Sequence, residues 1–134
     1  MSEVKFASNL AIDDELRENV LVPLSKEHFA LDRSAIFFVA AWSLSKGLEP
    51  RPHKKAAPNW HADSGDPVYG FFLNRFPESD PVKLVGEYAN AGLHAIRERV
   101  SENLSFADIF EIKVQSLDTL TQDKCILRIS DRII

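Results

Sequence analysis

Three sets of side chains in this sequence have types and spacings that could do chemistry. His53, His61, Asp63 and Asp66 fall in one irregular stretch, and imidazole with carboxylate is a ligand set that zinc and similar cations accept. Their spacing fits no recognised metal motif, and Asp beside Gly is ordinary turn chemistry, so a structural role competes with metal binding. Arg51, His53, Lys54 and Lys55 form the densest positive run, with Trp60 close behind. Trp and Arg are the residue types most enriched among interface hot spots, which makes this run the candidate binding surface. The competing reading is a solvated loop, with Trp60 folded onto Phe71 and Phe72 and merely pinning it. The third set, Lys5, Asn9 and Ser34, bears on DNA. Lys and Asn on a strand can hydrogen-bond base edges, and amides at the start of the helix carrying Ser34 could hold a phosphate.

Nucleophilic catalysis finds little support. Cys125 stands beside Ile126 and Leu127, where a thiol behaves as a small hydrophobe. No Gly-x-Ser-x-Gly elbow and no phosphate-binding glycine loop occurs. His28 and His94 fall on expected helices. The acid pairs Asp13/Asp14 and Glu98/Glu102 suit helix ends and solvated faces. No catalytic residue and no cofactor is expected.

These side chains need a scaffold, and composition says what kind. With 134 residues, 45% hydrophobic and 27% charged, the chain predicts one soluble globular domain, 1–134, with a core of its own. A net charge of −4 weighs against broad nucleic-acid binding, which draws on Lys and Arg neutralising phosphates. The longest apolar run, Ala35 to Trp42, falls far short of the ~18 residues of a membrane span. The first residues lack the basic and apolar regions of a signal peptide, and the lone Cys125 has no intrachain partner for a disulfide. A cytoplasmic location without membrane contact is the expectation.

The expected fold is mainly α (α+β), a compact helical domain with a short N-terminal β element. Val4, Phe6, Leu10 and Ile12 keep a period of two, so 3–12 reads as a half-buried strand with Lys5, Ala7, Asn9 and Ala11 on its other face. A helix starts at Asp13, and Pro23 either ends or kinks it before Leu24 to Phe29. The central helix follows, with Asp32 or Ser34 as its cap and Gly47 as its left-handed stop. Ala35 to Trp42 is apolar on every side, which predicts burial all round. Residues 48–67 read as a long loop, and Val68 to Phe76 as a short apolar element of either type. A second long helix runs from Pro81 to Glu102, capped by Ser79 or Asp80. Its buried stripe is Val82, Val85, Ala89, Leu93, Ile96 and Val100. Lys83, Glu87, Asn90, Arg97 and Glu98 lie opposite. Gly86, Ala89 and Gly92 recur every three residues and invite a close helix neighbour. A third helix starts at Ser105 with Phe106, Ile109, Phe110, Ile112 and Val114 as its apolar set, and Cys125 to Ile129 is a short strand or helical tail.

Strand, helix, helix is also the order of a ribbon–helix–helix unit, in which two strands pair across a homodimer and enter the major groove. Against this stand the acidic charge and Ala at two outward strand positions.

Three segments carry a resemblance to a known family. They are Asp-Glu-Leu-Arg-Glu-Asn-Val-Leu-Val-Pro-Leu (14–24), Ile-Phe-Phe-Val-Ala-Ala-Trp-Ser-Leu-Ser-Lys-Gly (36–47) and Glu-Tyr-Ala-Asn-Ala-Gly-Leu (87–93). In this order they resemble the Dnd system-associated protein 4 type, small bacterial proteins found beside DNA phosphorothioation genes. Those proteins similarly pair an apolar, alanine-rich helix with a later Glu-Tyr-Ala-x-x-Gly helix. The resemblance implies a non-enzymatic accessory component of a DNA-modification or anti-phage defence system. Its implied partners are other proteins of that complex or DNA. The family carries no settled catalytic residues to transfer. The alternative function is a DNA-binding regulator of ribbon–helix–helix type.

Overall fold

The computed structural model of this chain describes residue 7 and residues 9–54, 60–63 and 65–112, the side chain of Trp60 excepted. Contacts divide the chain into two compact units, 1–104 and 105–134. The first is mainly helical. Its order is β1 (Asn9–Leu10), α1 (Asp14–Leu16), a π-helical turn (Arg17–Leu21), α2 (Val22–His28), α3 (Asp32–Ser45), β2 (Trp60–His61), α4 (Pro67–Arg75) and α5 (Pro81–Ser101). In the second, α6 (Phe106–Ile109) is capped by Ser105, whose Oγ accepts from the Asp108 N–H. The rings of Phe106 and Phe110 meet at 5.0 Å within that unit, and Ile112 is exposed.

The N-terminal alternation holds where it is described: Leu10 and Ile12 are fully buried and Ala7 and Asn9 exposed. Residues 3–6 and 8 of the expected strand lie outside the described residues, Ala11 and Ile12 are not part of it, and the described strand is Asn9–Leu10. It pairs antiparallel with β2 of the same chain, Asn9 opposite His61 and Leu10 opposite Trp60. Pro23 kinks the first helical run without ending it. Proline supplies no N–H and crowds the carbonyl four residues back. The chain answers with a wider turn, in which the Val22 N–H donates to Arg17 O, five residues earlier.

At α3 the expectation needs correction twice. Neither Asp32 nor Ser34 caps it: the N-cap is Leu31, with no side-chain hydrogen bond. Nor is it buried all round. Ala35, Ile36, Val39, Ala40 and Ser43 form one buried stripe, while Ala41 is exposed and Phe37, Phe38 and Trp42 are half-buried. Helix neighbours cover one side only, and the flanking rings find local partners. Phe38 meets Phe29, Phe37 meets Tyr69, and the Lys46 ammonium lies 5.7 Å from the Trp42 ring. The C-terminal stop is as expected. Gly47 adopts φ +74°, and Leu48 N–H reaches back to Ser43 O in a Schellman closure.

The deepest element is α5, with eleven of its 21 residues buried against five of 14 in α3. Pro81 starts it and Asp80 Oδ1 caps it, accepting from Val82 and Lys83 N–H. It is the principal packing partner of α3, and the small-residue stripe explains how. A Cβ on Gly92 would stand 2.5 Å from Val39 Cγ1, and one on Gly86 would stand 2.6 Å from Ala11 O. The two glycines therefore admit different neighbours, α3 at one and the chain after β1 at the other. Burial of a single side chain such as Ile36 or Leu93 contributes roughly 1.5–3 kcal/mol, so this crossing carries much of the unit's stability. The unsettled apolar element is a helix, α4, with Asp66 Oδ1 accepting from Val68 N–H at its start. Phe72 and Phe76 pack on Tyr88 of α5.

Candidate functional site

Beyond Gly47 the chain does not wander. Residues 48–54 form an irregular strap that is tied to α5 through the backbone of Arg51. The Arg51 N–H donates to Glu87 O at 2.9 Å, and Asn90 Nδ2 donates to Arg51 O at 3.1 Å. Pro50 and Pro52 flank this residue, and their fixed φ angles restrict the strap before it folds. The side chains of Arg51, His53 and Lys54 are all exposed. The described part of the predicted surface, 51–54, is thus clamped to α5 at Arg51. Lys55, the Trp60 side chain, Lys5, Val4, Phe6, Val114 and Cys125 to Ile129 lie outside the described residues.

Asn90 was expected on the solvated face of α5 and is instead 1% exposed. While Nδ2 holds the strap, Oδ1 accepts from the Asp13 N–H at 2.9 Å. One donor and one acceptor face it, which fixes which way the carboxamide points. The reason lies one turn earlier, because positions four apart share a helix face. Gly86 opens that face to the backbone of Ala11, and Asn90 meets the same chain at Asp13. The sequence offered this clue: a glycine that admits a backbone is followed, at i+4, by a residue able to bond one.

The strap borders hollows on both sides. Arg51 and Lys54 line a cleft of about 350 Å³ together with Asp13, Asp14 and Glu15. Glu15 is ion-paired with Arg97 and accepts from Asn19 Nδ2. The charge here is therefore mixed, not positive. A second cavity of about 450 Å³ has Asn9, His53, Lys83 and Glu87 on its walls over Ala11 and Val82. Two residues that sequence assigned to different sites, Asn9 and His53, thus meet in one place. Ser34 is exposed on α3 and lines none of the described hollows.

The fourfold His/Asp set does not converge. Among the described residues, no group of three or more His, Cys, Asp or Glu side chains is arranged to hold a metal ion. The two aspartates have local work: Asp63 Oδ1 accepts from Gly65 N–H, and Asp66 caps α4. His61 contributes its carbonyl to Arg33 Nη2 at 3.4 Å. Nearby, burial pushes the Tyr69 phenol up to about 12, with Asp66 and Asp63 adding to the shift and Arg33 opposing it.

No family model, curated protein or solved structure matches this chain. Among the described residues, no helix is long and apolar enough to cross a membrane.

Proposed function

We propose that this protein is a non-enzymatic accessory component of a prokaryotic DNA-modification or anti-phage defence system. It works in the cytoplasm through protein–protein contacts made by the strap. The resemblance of segments 14–24, 36–47 and 87–93 to the Dnd-associated family supplies the biological context. The observation that carries the mode of action is the strap itself. Its backbone is clamped at Arg51, and it exposes Arg51 and Lys54 beside the acids Asp13 and Asp14, while His53, between Arg51 and Lys54 in sequence, is exposed as well. Holding the backbone in place beforehand reduces the ordering that binding would otherwise require.

A surface of both signs suits another protein surface better than a polyanion, which is gathered by cations alone. The regulator reading also asks β1 to pair with its counterpart in a homodimer, whereas β1 here pairs with β2. Its recognition residues would be Lys5, Asn9 and Ser34.

The products of neighbouring genes are the probes for this reading. Co-expressed with the chain, at least one should co-elute with it, and Arg51→Glu with Lys54→Glu should abolish the complex while the melting temperature stays near the parent's. Co-elution that survives in the folded double variant defeats the contact surface. Tight, steeply salt-dependent binding of the upstream duplex, with no protein complex, makes the regulator reading the better one.

A further inference from the structure

Every residue of the mixed-charge cleft sits on one of two walls, and the two walls belong to different parts of the chain. Asp13, Asp14 and Glu15 come from the start of the first helical run, Arg51 and Lys54 from the strap. One buried side chain bonds to both. Asn90 Oδ1 receives the N–H of Asp13 and Asn90 Nδ2 gives its proton to the carbonyl of Arg51. We propose that Asn90 is the positioning residue of the contact surface, the group that sets the spacing between its acidic and basic walls. This deepens the contact reading above and rests on it.

The argument is one of chemistry as well as place. A carboxamide is the smallest neutral side chain with a donor and an acceptor side by side. An ionised carboxylate offers only acceptors and would face the Arg51 carbonyl with a second oxygen. Alanine offers neither, so both backbone groups lose this partner at a part-buried site. Glu87 O holds the Arg51 N–H from the same helix, and Asn90 is the side chain whose described bonds reach both walls.

Backbone amide exchange of the whole chain, read as protection factors, tests this without any partner. In Asn90→Asp at neutral pH, Asp13 keeps its acceptor and its protection, while the Arg51 carbonyl loses its donor, so the loosened strap opens more often and the Arg51 N–H, which Glu87 O holds, loses about tenfold or more in protection. As pH falls and the introduced carboxyl takes up a proton, it regains a donor and Arg51 protection returns. Burial raises the pKa of that group, which brings the recovery within reach of mild acid. The acids Asp13, Asp14, Glu15 and Glu87 and the cations Arg51 and Lys54 are common to both chains, so the parent measured at each pH isolates the new group. A residue that merely filled space would give no such recovery.

Asn90→Ala, which buries no charge, should lose protection at Asp13 and Arg51 together while amides of the α3–α5 crossing stay protected. If the Asp variant does not fold, the Ala variant decides. In the unaltered chain, slowed exchange of the Asn90 side-chain NH₂ reads the strap bond directly. Unchanged Arg51 protection in folded Asn90→Ala, or rapid exchange of that NH₂, overturns the proposal. Failure of the contact reading is separate, because it shows in the Arg51→Glu, Lys54→Glu complex and not in exchange.

Discussion

Two faces of α5 are built by opposite means. Toward α3 it presents Val85, Ala89, Gly92, Leu93 and Ile96, and the meeting is apolar and close, with Gly92 against Val39 and Ser43. Toward the N-terminal chain and the strap it presents Gly86, the Glu87 carbonyl and Asn90, whose contacts are to backbone, and Arg97, which is ion-paired with Glu15. The first face is held by area and shape. The second is held by three hydrogen bonds, one ion pair and one tight approach. Stability should therefore reside mostly in the first face, and the geometry of the cleft in the second.

The most severe way to break the first face is to charge it. Ala40 is fully buried, and Ala40→Asp should destabilise the chain by more than about 4 kcal/mol, enough to unfold it. Thermal melting followed by circular dichroism reads this directly. A parent-like melt would mean that α3 does not form the core.

The glycines give the next largest effect and separate the faces. Alanine is the better helix former by about 1 kcal/mol, yet Gly92→Ala should lower stability by a net ~2 kcal/mol, because the added carbon meets a stiff valine at the crossing. Gly86→Ala should lower it comparably, but the loss should begin at the N-terminal chain. Hydrogen exchange at Leu10 and Asp13 should quicken before that of the α3–α5 amides. A uniform loss of protection in both variants would erase the distinction between the faces.

A smaller effect is visible only in alkali. The Tyr69 phenol is raised from the ordinary 10.0 to about 12, so the folded chain keeps a proton that the unfolded chain releases. Stability is full below about pH 10 and falls as pH rises toward 12. Tyr69→Phe should flatten that fall, as denaturant titration at pH 9 and pH 11 would reveal. The least change of all is expected from Arg51→Glu with Lys54→Glu, whose exposed side chains should alter stability by about 0.5 kcal/mol or less.

These contrasts also mark what sequence could and could not reveal. Periodicity exposed the apolar face, because Val82, Val85, Ala89, Leu93 and Ile96 repeat on one side of a helix and are buried as that repeat requires, while Val100, the last of the expected stripe, is only half-buried. Gly47 announced a left-handed stop, and Pro81 with Asp80 a helix start, since each residue is nearly unique in its physical suitability there. The all-apolar run of α3 misled, because apolar character states a preference for burial while neighbours determine how many sides are covered. Asn90 was hidden for a related reason: a polar residue reads as solvated unless its bonding partners, here 39 and 77 residues away in sequence, are known. The positive run was visible, but the acids that balance it arrive only through folding.

The clamp on the strap recognises an N–H and a carbonyl, groups that almost any residue carries, and never the side chain of residue 51. Scaffold and message are thereby uncoupled. Substitutions at Arg51, His53 and Lys54 alter what is displayed without disturbing what displays it, so one and the same clamp can carry surfaces of different charge and shape.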